Sequence, residues 1–471
     1  MATSVAPTTV RAPRAPTAVI VVLGAVVFIY AVLEAMRVPA LPLIQQGVGA
    51  STASVVWVFT GMELAAAVSL PLISRLADIR DKKKLFMVVL ASVVVGIFVS
   101  GVANSILVLA IGQILQGVGS GFVPLALGML KEAGLGARAK SGTGLVIGMT
   151  ALGFIGGLVL VGPVVATLSY HWIFWFPLCG MVLVGVLAVL VLPSTEVRAD
   201  GRVDWAGAVV LGSALIAVLL GLTKAPSWGW TSPGFLALVA AGTLLLVAFV
   251  LLELRLEQPL VDLRIGGRAL LVTCVVAFAV GWATITTYLT VPTIVTAPPT
   301  AGYGLGATTT TVGLLVVPFG VVAAATAPLT GLLERAVGAK VLMVLSCVPI
   351  AASSVIVMLG RHDAVLLAVA SAVMGLGMGV GLTQAMNIVA TSVPAERMAS
   401  ATGLAMIVRA VGNTLGAQIA GSMLAASTVA GTSLPTWSTL MVVLVFATVI
   451  GVLAMVISFA LPRQITAARD R

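Results

Sequence analysis

Four charged residues stand inside long apolar stretches: Glu34, Arg37, Glu63 and Arg409. A charge at the centre of a membrane helix costs about 2.5–3.5 kcal/mol on insertion scales. Such residues persist where they face a cavity, pair with one another or move ions. A carboxyl withdrawn from water holds its proton more tightly. Glu34 is therefore a candidate proton carrier, or a counter-charge for a cationic ligand. The structural alternative is a pair with Arg37, three residues on and on the same helical face. Arg37 reads as that partner or as a side chain reaching to the interface, with direct contact to a solute as the functional alternative. Glu63 has no charged neighbour at helical spacing and lies at a depth similar to Glu34, so both carboxyls can face one cavity. Its alternative is a partner on another helix. Arg409 either meets a solute or hydrogen-bonds backbone carbonyls where two helices meet. Gln113, Gln116, Gln384 and Asn387 are uncharged hydrogen-bonding groups in the same kind of stretch. They line a cavity or join helices, the latter at about 0.6 kcal/mol each.

The elements that carry these residues follow from composition. Hydrophobic residues make up 60% of the chain and charged residues only 8%, whereas a soluble domain carries about a quarter charged. Such a chain cannot cover itself in water, and its length is better counted in spans of about 20 residues. The apolar stretches place fourteen spans at 17–39, 54–77, 84–104, 106–130, 142–168, 173–194, 204–223, 233–253, 268–295, 309–333, 338–359, 363–391, 399–427 and 437–461. They are expected to be helices, because a span in lipid must satisfy its own backbone hydrogen bonds. The first is too long for the apolar core of a secretory signal and reads as a retained helix.

Loop charge then sets the orientation. Of the 25 lysines and arginines, only Lys224 and Arg361 fall in the loops on one face, and Arg37 and Arg409 lie within spans. The others collect on the face that carries both termini, which the positive-inside rule assigns to the cytoplasm. This distribution also explains the net charge of +10 without nucleic acid. Cys179, Cys274 and Cys347 lie in apolar stretches without metal-ligand spacing and read as small buried hydrophobes.

The chain repeats itself. Ser141-Gly-Thr-Gly-Leu145 returns as Ser400-Ala-Thr-Gly-Leu404, and Gly153, Gly157 and Gly162 return as Gly412, Gly416 and Gly421. The turn from Ser74 to Leu85 has a weaker echo from Gly331 to Leu342. The spacing predicts two six-helix bundles with two inserted helices between them. The tails are 1–16 and 462–471, the bundles 17–194 and 268–461, and the insert with its linkers 195–267. Parallel halves of this kind hold a substrate between them near the bilayer midplane.

With those features the chain resembles the major facilitator superfamily, and within it the bacterial drug/proton antiporters of fourteen spans. The resemblance runs over nearly the whole chain. Ser74, Leu76, Ala77, Asp78, Asp81, Lys82 and Lys83 follow the family's loop motif, with Ser74 and Asp81 in place of glycines. Gln113, Gln116, Gly117 and Gly119 follow its span-four motif, Gln113 standing where the family has arginine. Gly153, Gly157, Leu158, Val161 and Gly162 follow its antiporter motif without the proline, and Pro163 lies nearby. Glu34 before Pro39-Ala-Leu-Pro42 matches the family's first span. The resemblance implies that Asp78, Leu76, Lys82 and Lys83 latch one face closed, and that Gly153, Gly157 and Gly162 set the direction of transport. Bland readings stand beside these: a solvated topogenic cluster, and close helix packing.

No phosphate-binding loop or nucleotide-hydrolysing domain is present in the sequence, and His171 and His362, in loops, form no metalloprotease motif. An enzyme, a metal and a cofactor are therefore not expected. The expectation is a monomeric, multi-pass protein of the cell membrane that exchanges small hydrophobic or amphipathic molecules for protons. Competing readings are an uptake carrier or facilitator for a polar metabolite, and a membrane sensor that transports nothing.

Overall fold

In the computed structural model each of these apolar stretches is helical. The structure describes residues 16–37, 39–132, 137–194, 204–256, 267–392, 398–429, 432 and 434–461. The first half holds α1 (Pro16–Met36), α2 (Leu41–Gly47), α3 (Thr52–Val55), α4 (Trp57–Ile79), α5 (Lys82–Gly101), α6 (Ile106–Gly117), α7 (Phe122–Glu132), α8 (Ala137–Thr167) and α9 (Trp172–Val191). The insert is α10 (Trp205–Trp228) and α11 (Pro233–Glu253). The second half holds α12 (Arg268–Thr296), α13 (Thr309–Thr326), α14 (Thr330–Val337), α15 (Ala339–Leu359), α16 (Ala364–Ser392), α17 (Met398–Ala426) and α18 (Trp437–Ser458). The fold is all-α, two six-helix bundles with a helical pair inserted between them.

Local chemistry explains where the helices stop. Asp81 accepts a hydrogen bond from the Lys83 amide at 2.9 Å and starts α5. Ser105, Ser232 and Thr308 do the same for α6, α11 and α13, each satisfying a donor that the first helical turn leaves open. Four spans differ from the continuous helices expected, span two because Val56 separates α3 from α4. Span one ends at Met36, before Pro39, and a separate short helix, α2, follows it. Span four is interrupted by a 3-10 turn at Val118–Gly121, where Gly119 seats on the Tyr30 ring and Gly121 on Ile73. Span ten breaks at Pro328, which cannot continue the α13 hydrogen-bond ladder.

Thirteen helical stretches among the described residues are long and apolar enough to cross a membrane. α17 is the further crossing. It is 29 residues long, but its middle carries Arg409, Asn413, Thr414 and Gln418. Cys347 is buried as expected, whereas Cys179 is exposed, on the apolar face that α9 turns outward.

The repeated glycines form matching seams, one in each half. Gly153 and Gly157 of α8 lie against the Phe28 and Val32 carbonyls of α1, where a Cβ would collide. Gly412 of α17 lies against the Phe278 carbonyl of α12, and Gly416 against Trp282 and Ile285. Gly162 instead meets Thr310 across the halves. The halves join along two fronts, α8 with α13 and α4 with α17. α10 rests on the second front only. Trp57 Nε1 of α4 donates to Thr223 Oγ1 at 2.8 Å, and Ser422 Oγ of α17 donates to the Leu222 carbonyl at 2.6 Å. Thus adjacent residues of α10 hold both halves, while α11 packs on α10 and is largely exposed.

Because these seams leave no room for a side chain, Gly153→Val and Gly412→Val each lower stability by about 1–3 kcal/mol, the usual cost of overpacking. Gly148→Val, at a glycine with open space around it, does not. Thermal melts of purified protein followed by tryptophan fluorescence give the comparison.

Candidate functional site

Tyr30, Glu34 and Arg37 share one face of the first span, at spacings of four and three residues. On that face Tyr30 and Arg37 bond to α6 and α4 of the same half. Glu34 is half-buried and interacts electrostatically with Arg37 beside it, with Glu63 of α4 and with Arg409 of α17. Its field also reaches Tyr288 of α12. Glu34 thus lies within electrostatic reach of one further acid and two bases, on α4, on α17 and just past the end of α1. Arg37 is 1% exposed, yet among the described residues no ion pair joins it to Glu34. Its Nη1 donates instead to Gln113 Oε1 at 2.9 Å and to the Val58 carbonyl at 3.2 Å. The guanidinium lies 5.3 Å from the centre of the Phe59 ring, a favourable cation–π arrangement.

Gln113 continues a buried chain. Its Nε2 donates to Ser100 Oγ at 3.1 Å, and Gln116 Nε2 donates to the same oxygen at 2.8 Å and to the Gly96 carbonyl at 3.0 Å. Tyr30 adds a bond to the Gln116 carbonyl at 3.1 Å. Gln113 thus reaches the charged cluster through Arg37, while Gln116 ties α6 to α5. Gln384 and Asn387 lie elsewhere. The first donates to the Ala339 carbonyl and the second to Glu334 Oε2, both at 3.4 Å, so they brace α16 against α14 and the start of α15, near the face that carries the termini.

Several polar atoms around the cluster have no hydrogen-bond partner although they are buried. They include Tyr288 Oη, Thr284 Oγ1 and Thr287 Oγ1 on α12, and Arg409 Nε, Asn413 Oδ1 and Thr414 Oγ1 on α17. Phe154, Tyr288 and Phe319 pack together, the first two stacked and the last two edge to face, with ring centroids 5.1–6.2 Å apart. The arrangement offers fixed charges, unspent hydrogen-bonding groups and an aromatic wall at the boundary of two bundles. Among the described residues no group of histidines, cysteines or acids could hold a metal ion.

The family model of the Major Facilitator Superfamily matches residues 23–294 and 271–470. The chain belongs to that superfamily. It is 28% identical over 403 residues to the multidrug resistance protein Stp of Mycobacterium tuberculosis, an alignment that covers 82% of this chain and 72% of that one. It is 31% identical over 258 residues to the tetracenomycin C resistance and export protein of Streptomyces glaucescens, over 53% of this chain and 48% of that one. Among solved structures the nucleoside transporter NupG aligns with a TM-score of 0.69 at 14% identity, covering 93% of this chain and 99% of that chain. A peptide transporter of the POT family aligns at 0.65 and 14%, covering 96% and 99%. Those two likenesses bear on the fold. As a major facilitator protein the chain is a multi-pass membrane transporter of a family that is in general not enzymatic.

Elsewhere in this major facilitator chain the predicted residues take other places. Leu76 is half-buried near the end of α4, while the Asp78 side chain lies outside the described residues. Lys82 lies along Gly128 of α7, and Lys83 Nζ donates to the Val189 carbonyl at 3.0 Å, joining the start of α5 to the end of α9. Tyr288, Asn413 and the α12 threonines are the site residues that the sequence reading passed over. Asn413 stands one helical turn after Arg409, and Thr284, Thr287 and Tyr288 recur at helical spacing. Polar groups recurring on one face of a membrane helix are the signal that marks them.

Proposed function

We propose that the protein exports hydrophobic or amphipathic small molecules in exchange for protons, by alternating access of a central site to the two faces of the cell membrane, with both termini in the cytoplasm. The observation that carries this reading is the cluster itself. Glu34 interacts with charges on its own half and with Arg409 of the other, so a proton gained or lost at Glu34 changes the energy of the contact between halves. That is the coupling an exchanger needs, because a ligand shifts a conformational equilibrium only through differential interaction with the two states. Glu63 shares the negative charge, and Arg409 with Asn413 presents the second half's polar groups to the solute. The glycine seams of α8 and α17 let these helices move as units with α1 and α12. Relatives named for multidrug resistance and for antibiotic export support the direction and the class of solute. We take the working unit to be the monomer, since both bundles belong to one chain.

Transport into inverted membrane vesicles tests the proposal. Ethidium uptake is expected to follow an imposed pH gradient, acid inside, and to stop when nigericin collapses it. Uptake that ignores the gradient would exclude proton exchange, and uptake into right-side-out vesicles alone would exclude export.

A further inference from the structure

The two fronts on which the halves meet are built differently. At the α4–α17 front the inserted pair is a third partner. Leu64 and Ala67 of α4, Leu215 and Leu219 of α10, and Ile407 and Ala410 of α17 belong to a buried apolar core separate from the main one. In lipid such a core is held by packing rather than by the hydrophobic effect. Hydrogen bonds add direction to it. Pro226 lies inside α10 and has no N–H to offer the carbonyl one turn back. That carbonyl, of Leu222, is the one that Ser422 of α17 reaches. Thr223 gives its own hydroxyl hydrogen to the Leu219 carbonyl at 2.8 Å, which leaves its lone pairs to the Trp57 N–H of α4. Gln418 Nε2 of α17 adds a bond to the Ala53 carbonyl of α3 at 3.4 Å.

The α8–α13 front has no such brace. Gly313 seats on the Leu158 carbonyl, Gly162 on Thr310 and Gly320 on Ile155. The hydroxyls of Thr150 and Thr167 on α8 and of Thr326 on α13 bond within their own helices, at 3.1, 2.8 and 2.7 Å. Among the described residues the inserted pair rests on α3, α4 and α17, with no comparable packing on α8 or α13.

We propose that the bonds of α10 to Trp57 and Ser422 make the α4–α17 front a hinge, and that the halves part along α8 and α13 when the central site changes sides. The inference rests on the alternating-access reading above and adds to it which contacts yield. Opening at α4–α17 would strip the Leu222 carbonyl and the Trp57 N–H of their partners, and lipid offers no replacement. Opening at α8–α13 separates glycine contacts that carry no such bond. The insert therefore turns an even rocking of two halves into a swing about one edge.

Distances between paired spin labels on purified protein in nanodiscs test this, in a chain with Cys179, Cys274 and Cys347 replaced by alanine. Leu168→Cys with Thr309→Cys spans the α8–α13 front. Ala50→Cys, just before α3, with Ser427→Cys, just after α17, spans the α4–α17 front. Between acid and alkaline buffer, and on adding ethidium, the first distance is expected to change by several ångström and the second to stay. Trp57→Phe with Ser422→Ala removes both bracing donors and is expected to let the second distance vary as well; Ser422→Ala alone serves if the pair does not fold. Equal changes across both fronts, a change across α4–α17 alone, or no change across either overturns the hinge. So does an α4–α17 distance that stays fixed once the bracing donors are gone. The readout needs no transport, so the hinge and proton-driven export can fail independently.

Discussion

Glu34→Gln is expected to reduce gradient-driven uptake in inverted vesicles to the level seen with the gradient collapsed. Glutamine keeps the size and hydrogen-bonding capacity of the side chain but neither binds a transportable proton nor carries charge. The variant therefore retains its fold, as its melting temperature will report, and loses the step in which the charge on α1 changes. Glu34→Asp keeps a carboxyl one methylene further from Glu63 and Arg409, and is expected to retain part of the uptake. Glu63→Gln should have the smaller effect of a neighbouring charge that biases Glu34 without replacing it. The assignment of proton coupling to this cluster fails if Glu34→Gln and Glu63→Gln both keep full uptake under an imposed gradient.

The span pattern, the inserted pair and the repeated glycines could be read from the sequence because each reflects a requirement that acts locally. A stretch in lipid must be apolar and helical, and a helix that touches another backbone must lack a side chain. Gly153 and Gly412 recur at equivalent places because α8 on α1 and α17 on α12 are the same packing problem solved twice. The interruptions were less legible. The glycines around Val118 read equally well as packing sites within one helix, and only their seating on Tyr30 and Ile73 shows why a 3-10 turn forms there. Partners of buried polar groups depend on helix rotation, which periodicity does not supply. Arg37 lies one turn from Glu34, so sequence spacing favours a pair, yet its guanidinium turns to Gln113 and Phe59. Gln384 and Asn387 have the composition of cavity residues and serve as braces near an end of the bundle.

That turn of Arg37 leads to the second large effect. Gln113 Oε1 is the side-chain acceptor for a guanidinium that is 1% exposed and whose Nε has no hydrogen-bond partner. Gln113→Leu leaves the cation buried with the Val58 carbonyl and the Phe59 face as its remaining contacts. Leaving a buried polar group without its partner costs about 1–3 kcal/mol, and more for a charged one, whereas replacing both partners with apolar groups of similar shape is nearly neutral. Gln113→Leu and Arg37→Met are therefore each expected to destabilise the protein, the first more strongly because it strands a charge. The double variant should recover most of the loss, giving a coupling energy at the upper end of the 0.5–3 kcal/mol typical of residues in one network. Denaturation in mixed micelles measures the cycle. Additive losses would show that the Arg37–Gln113 bond is not what holds α1 to α6. Transport by the double variant then separates stability from function. Arg37 also acts on Glu34, so a refolded protein without the guanidinium should show a shifted pH profile of uptake. An unshifted profile would assign Arg37 to helix packing alone.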